Sequence, residues 1–334
     1  MKIAVLSPIA WRTPPRHYGP WEQMASNVTE GLVQAGVEAT LFATADSITS
    51  AKLEAVIGTG YEEDRTQDAK VVECLHISHL MEKAHQFDVI HNHFDFLPLT
   101  YSQLIDVPMV TTIHGFSSAC IIPVYQKYNT TSHYVSISHS DRSPDLDYLA
   151  TVYNGIRVDN FAFTEQPDEY LLFFGRIHPH KGTAEAIRIA RQSNRKLLIA
   201  GIIQDQVYFD EQVKPFIGDQ IIFLGPAGPE RRSELLGKAY ALLHPISFDE
   251  PFGLSVAEAM LCGTPVIAFD RGAMPELIQH EKTGFLVSTV AEAVEVVPEI
   301  DQIDRSYCQA WAASQFSQEK MAADYLGIYQ RVLS

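Results

Sequence analysis

The chain reads as α/β, with two domains each built on an open, mostly parallel sheet, and three observations point there. Short apolar runs alternate with longer amphipathic stretches from end to end, which is the rhythm of strand, helix, strand units. That rhythm breaks once, in a Pro- and acid-containing stretch from Asp159 to Glu169, and then restarts. The length, 334 residues, exceeds what a single core usually spans. The reading is therefore a domain over 1–160, a second over 168–310, and a terminal helical segment over 311–334 that packs back towards the first.

The first strand is KIAVLS, followed by a helix from about Pro20 to Ala35 and a second strand at VEATLFAT. Pro20 suits the first helical turn, Trp21, Ala25, Val28 and Leu32 make an apolar stripe, and Gly36 is the stop signal. Further buried strands are expected at DVIHNHF (88–94), PMVTTIH (108–114) and HYVSIS (133–138). The second half offers LLFFG (171–175), KLLIAG (196–201), IIFLG (221–225), ALLHPI (241–246) and PVIAF (265–269). Two such sheets imply a ligand in the cleft beyond the carboxyl ends of their strands.

Composition narrows the function classes. At 46% hydrophobic and 20% charged the chain is an ordinary globular protein. A formal net charge of -16 disfavours nucleic acid and anionic membrane surfaces. Pro8 interrupts the N-terminal apolar run, so a signal peptide is not expected, and no stretch approaches the roughly 18 apolar residues of a membrane span. The expected compartment is the cytoplasm, with no membrane insertion. Cys74, Cys120, Cys262 and Cys308 are scattered without a CxxC pair and suggest buried thiols in a reducing compartment.

Three segments carry chemistry. The loop SPIAWRTPPRHYGPWE follows the first strand and ends in Gly19 at a helix start, where backbone amides can approach a phosphate or simply turn the chain. A GxGxxG fingerprint is absent there, which weakens a dehydrogenase. In FFGRIHPHKG, Arg176 and Lys181 lie just beyond a strand, as diphosphate-binding cations or as charges of a solvated loop. DEPFGLSVAEAMLCGTP places Glu250 before a turn and Glu258 about one turn into a helix starting near Leu254. The amides of Gly253, Leu254 and Ser255 would point at an anion, and Glu258 could accept the two hydroxyls of a ribose. Helix-capping acids are the alternative for such a pair. HNHFD adds His91, His93 and Asp95, which share one face of a strand; a metal site is not expected, since further ligands are not evident.

With these residues in view, EPFGLSVAEAMLCGTPVIA is similar to the acidic motif of retaining glycosyltransferases of family 4, in which two glutamates stand seven residues apart. FFGRIHPHKG resembles that family's Arg and Lys diphosphate site, and the opening Gly loop, TIHG around His114, YNGI (153–156) and RGAMPELI (271–278) follow in the family's order. The resemblance implies a GT-B fold of two Rossmann-like domains facing across a cleft, an acceptor-binding N-terminal domain, and a donor-binding C-terminal domain. It implies retaining transfer of a hexosyl group from a nucleotide sugar, a UDP-sugar first and GDP-mannose next, with no metal and no cofactor beyond the co-substrate. Carried over by position, Glu250 meets the donor sugar, Glu258 the ribose, Arg176 and Lys181 the diphosphate, and His114 the transferred sugar. Gly19 would lie beside the phosphates, with Phe252, Gly253, Leu254 and Ser255 lining the donor and loops near Ile203 and Pro226 touching its base. One departure is that Gly19 is followed by Pro20, which offers no amide, so that Trp21 would narrow the acceptor side.

Asp95 and Phe116, with Trp21, are the candidate acceptor residues. Residues 1–160 hold 10 Lys and Arg against 18 Asp and Glu, a difference of -8, which favours a small soluble acceptor over a membrane lipid. No pair of side chains reads as a glycosidase-like nucleophile and acid, so a front-face displacement is expected. The competing readings are a nucleotide-sugar epimerase of the same fold and a catalytically silent nucleotide-binding module. A homo-oligomer is also compatible with the sequence.

Overall fold

A computed structural model describes residues 1–16, 18–116 and 118–334. It divides into two compact units, Met1–Ile156 with Gln318–Ser334, and Arg157–Ser317.

The first unit runs β1 (Lys2–Leu6), α1 (Pro20–Gln34), β2 (Glu38–Phe42), β3 (Lys52–Glu54), α2 (Ala69–Glu82), β4 (Val89–Asn92), β5 (Met109–Ile113), α3 (Ile122–Lys127), β6 (His133–Ser136) and β7 (Tyr148–Thr151). Its seven strands lie in the order β3-β2-β1-β4-β5-β6-β7, and their pairings are parallel. The central strands are buried on both faces, including the polar side chains of His91, Asn92, Thr111 and Thr112 that interrupt their apolar runs. Edge strands β3 and β7 were not legible: KLE is three residues long, and YLAT is half-buried along its length.

The second unit runs β8 (Leu171–Phe174), α4 (Thr183–Gln192), β9 (Leu197–Ala200), α5 (Gln206–Tyr208), β10 (Ile221–Gly225), α6 (Pro229–Lys238), β11 (Ala241–His244), α7 (Leu254–Leu261), β12 (Val266–Phe269), α8 (Met274–Leu277), β13 (Gly284–Val287), α9 (Val290–Val296) and α10 (Arg305–Phe316). Its six parallel strands are ordered β10-β9-β8-β11-β12-β13. Edge strand β13 begins on Gly284, whose close pairing with Val266 leaves no room for a Cβ, and no strand pattern announced it.

The last helix, α11 (Gln318–Leu333), belongs to the first unit. Met321, Tyr325, Ile328 and Tyr329 sit in the same apolar cluster as Val28, Leu32, Val89 and Val110. The expected terminal stretch 311–334 therefore divides. Trp311 to Phe316 finish α10, where the Trp311 ring N–H donates to Leu277 O at 3.0 Å and Ala312 and Phe316 are buried. The 159–169 stretch is likewise fixed rather than free. Its backbone N–H groups at Ala162, Thr164 and Asp168 donate to Ser233 Oγ, Cys262 O and Lys238 O, which explains its lack of periodicity without slack.

In each sheet the strand order reverses once, between β1 and β4 and between β8 and β11. Strand ends at such a reversal diverge and leave a crevice beyond the sheet.

Candidate functional site

The loops that leave the strands nearest these two reversals carry most of the residues singled out above. In the second unit, two glycines set the geometry. Gly182 has φ 76°, and a Cβ there would lie 1.9 Å from Pro245 O, so only glycine lets the loop after β8 press on the loop after β11. Gly272, φ 56°, approaches the backbone of Glu250 so closely that a Cβ would lie 2.3 Å from its nitrogen, and Ala273 N donates to Glu250 O at 2.9 Å. The RGAMPELI segment thus clamps Glu250 in place.

Lys181 donates a hydrogen bond to Glu250 Oε2, both side chains being largely buried, and its ammonium lies 4.7 Å from the Phe248 ring centre. His244, at the end of β11, stands behind the pair with Nε2 3.7 Å from the same oxygen. Burial alone would push the Glu250 carboxyl up, but His244 and Lys181 outweigh it and hold it at about 2. Arg176 donates to Gln204 Oε1 at 2.8 Å.

The turn that follows delivers α7. Gly253 caps it with φ 97° and no side chain among the described residues caps it, so its leading amides have to be satisfied from outside the helix. The first helical bonds come from Val256 N and Ala257 N. Leu254 and Ser255 are half-buried in that first turn, whereas the Phe252 side chain is buried with its ring centre 5.7 Å from that of Phe316. Glu258 is buried in α7 and pairs with Arg232 of α6; burial pushes its carboxyl up more than Arg232 draws it down. Arg232 also lies over the Phe174 ring, 5.3 Å from its centre. Ile203 is half-buried and bridges Ile177 in parallel fashion, while Pro226 is exposed beyond β10.

The first unit answers with a different chemistry. His114 follows β5, stacks on Trp21 (5.8 Å, 23°) and shares a 2.9 Å hydrogen bond between its Nε2 and His93 Nδ1. His91 uses both ring nitrogens, Nδ1 to the Tyr329 hydroxyl at 2.6 Å and Nε2 to Thr112 Oγ1 at 2.7 Å. Burial pushes all three imidazoles down, His91 and His114 to about 3. Asp95, at φ 75°, turns away from these histidines and accepts from the Tyr125 hydroxyl; burial lifts its carboxyl to about 6 despite that bond. Phe116 packs edge-on against the same Tyr125 ring at 5.7 Å.

The shared strand face of His91, His93 and Asp95 therefore does not gather them, and among the described residues no three His, Cys, Asp or Glu side chains are grouped to hold a metal. Gly19 caps α1 at φ 150°, where a Cβ would lie 2.9 Å from Glu22 Oε2. Glu22 is itself buried, with Oε1 accepting from Trp11 N at 3.2 Å.

Sequence reasoning missed Arg232, His244, Tyr125 and the tyrosines of α11. Only His244 had a signal: it is the last residue of the apolar strand ALLH, aimed at the end of the sheet where Glu250 waits. The others arrive from separate elements.

Residues 158–307 match the family described as glycosyl transferases group 1. An uncharacterized glycosyltransferase of Methanocaldococcus jannaschii is 26% identical over 86% of this chain and 85% of its own length. A D-inositol 3-phosphate glycosyltransferase of Mycobacteroides abscessus is 33% identical over 46% of this chain, a match that spans 38% of that relative. Among solved structures, Anabaena HepE in complex with UDP and glucose superposes with a TM-score of 0.73 over 99% of this chain and all of that one, at 18% identity. Among the described residues no helix is long and apolar enough to cross a membrane.

Proposed function

The chain being a glycosyltransferase of the GT-B fold, we propose that it moves a hexosyl group from a nucleotide sugar to a small soluble hydroxyl acceptor, with retention and without a metal. The observation that carries this is the Lys181, Glu250 and His244 cluster at the reversal of the second sheet, where the same loop after β8 also carries Arg176. A diphosphate entering there takes Lys181 and Arg176 as its cations, and the α7 amides of Gly253 to Ser255 receive its remaining oxygens. Glu250, released from Lys181, accepts from hydroxyls of the transferred sugar, and Glu258 from the ribose. Loops at Ile203 and Pro226 touch the base, Gly19 lies beside the phosphates, and His114 meets the sugar.

In the front-face displacement we favour, the acceptor oxygen bonds to the anomeric carbon as the bond from that carbon to the diphosphate breaks. The leaving phosphate oxygen takes the acceptor's proton. Lys181 and Arg176 stabilise the charge that develops on it. Trp21, Asp95 and Phe116 belong to the acceptor side. UDP is the favoured carrier, with GDP-mannose next; a fold neighbour that binds UDP and glucose supports the first. The relative named for D-inositol 3-phosphate supports a soluble polyol acceptor.

A panel of UDP- and GDP-sugars read by calorimetry, followed by mass spectrometry of products from a pooled acceptor library and NMR of the new anomeric centre, tests the proposal. One preferred donor and an acceptor carrying the same anomeric configuration are expected. Interconversion of the donor with no acceptor consumed would replace the proposal with an epimerase, and inverted product would remove retention.

A further inference from the structure

The three histidines at the ends of β4 and β5 contain an imbalance. His91 has spent both nitrogens on Tyr329 and Thr112, and Thr112 in turn meets the Tyr325 hydroxyl at 2.7 Å. His93 lies against His91 with ring centres 4.1 Å apart, yet its ring has a single hydrogen-bond partner among the described residues, His114 Nε2, for its Nδ1. Its ring Nε2 is buried with no partner among the described residues. Burial keeps both rings neutral, so the pair holds two protons: one lies between them, and the other sits on either His93 Nε2 or His114 Nδ1.

Two arrangements satisfy the 2.9 Å contact. If His114 donated from Nε2, His93 would carry its proton on Nε2, a buried N–H with no acceptor. If His93 donates from Nδ1, what is left buried is a lone pair, and His114 carries its proton on Nδ1. Buried N–H groups left without an acceptor are the rarer of the two defects in folded proteins, unmet acceptors being somewhat commoner. Trp21, stacked on one face of His114, fixes the plane in which that proton points.

We propose that His93 is a positioning residue: by donating Nδ1–H to His114 Nε2 it holds His114 as the Nδ1–H tautomer, so that His114 offers a substrate oxygen a hydrogen-bond donor and not a base. This rests on the reading of His114 as the residue beside the transferred sugar, and it sharpens that reading. The acceptor's proton has to go elsewhere, as the front-face displacement already requires.

The tautomer is measurable apart from any turnover. Long-range proton–nitrogen correlation spectra of the full chain labelled with 15N-histidine, near neutral pH, should give His114 a protonated Nδ1 and a bare, pyridine-type Nε2. The reverse pattern overturns the proposal whether or not the chain transfers sugar. His93→Asn keeps an N–H close to the place of Nδ1 and should preserve the His114 pattern. His93→Leu should release it to the other tautomer or a mixture and lower kcat/KM about tenfold, the loss of one hydrogen bond. If His93→Leu leaves the His114 pattern unchanged, His93 does not set it; if that variant fails to fold, the wild-type and His93→Asn spectra still decide.

Discussion

The two switch points of this molecule use ionisable groups in opposite ways. In the second unit, Lys181, Glu250 and His244 are packed so that the Glu250 carboxylate stays charged in spite of burial, and Arg232 stands against Glu258, limiting the rise that burial imposes on its carboxyl. Around the first unit's switch point burial wins: His91, His93 and His114 are driven to the neutral form, and Glu22 and Asp95 are pushed up towards theirs. The difference lies in the partners. The second unit supplies a cation to each acid, while the first supplies N–H and O–H donors from Trp11 and Tyr125. A site that must receive a diphosphate needs fixed charge. One that must orient neutral hydroxyls is better served by dipoles of known direction.

The sharpest way to break that comparison is Lys181→Ala. If the charge of the second unit serves the leaving diphosphate, turnover should fall on the order of a hundredfold or more, with circular dichroism unchanged. Near wild-type rates would reduce the Lys181 to Glu250 pair to a structural contact. Arg232→Ala comes next. It leaves Glu258 buried without its cation, so its carboxyl, already pushed up by burial, rises further. Donor affinity should fall about tenfold and recover as pH is raised and the carboxylate re-forms. Calorimetry across a pH series checks it, and a loss independent of pH would mean Arg232 acts on the donor by another route.

How much of this was readable from the chain follows from the same contrast. The second unit's acids were legible because turn, glycine and helix start are compressed into one stretch, DEPFGLSVAE, whose local geometry dictates where Glu250 and Glu258 point. Their partners were not. Arg232 lies on a different helix, and nothing in ERRSELL distinguishes it from its neighbour Arg231. In the first unit His114 was legible from TIHG, but its hydrogen-bond partner His93 arrives from the end of β4, and His91 is fixed by Tyr329 from a helix 238 residues later in the chain. HNHFD suggested a converging trio by strand alternation alone. The left-handed turn at Asp95 breaks the alternation at its last member, and no pattern in the residue types announces it. The parallel core strands were read as apolar runs, whereas β3, β7 and β13 sit at or beside sheet edges, where burial on one side only leaves a weaker pattern.

The smallest expected effect separates the two units by sign. Glu22 has its carboxyl raised from 4.5 to about 7 because burial outweighs the hydrogen bond from Trp11. The folded chain therefore keeps a proton there that the unfolded chain has given up. Stability from this group is fully present below about pH 4.5 and is lost as pH rises through 7. Glu250 behaves oppositely: lowered to about 2, it contributes stability above pH 4.5 and loses it as pH falls through that lower value. In Glu22→Gln that loss with rising pH disappears, so the variant's Tm should match wild type near pH 5 and exceed it by a few °C at pH 8. Glu250→Gln should show no such divergence between pH 5 and 8, its own difference opening only on acidification. A Glu22→Gln curve parallel to wild type across that range would mean that this carboxyl is ionised in the fold, and the first unit would then hold charge at its switch point as the second does.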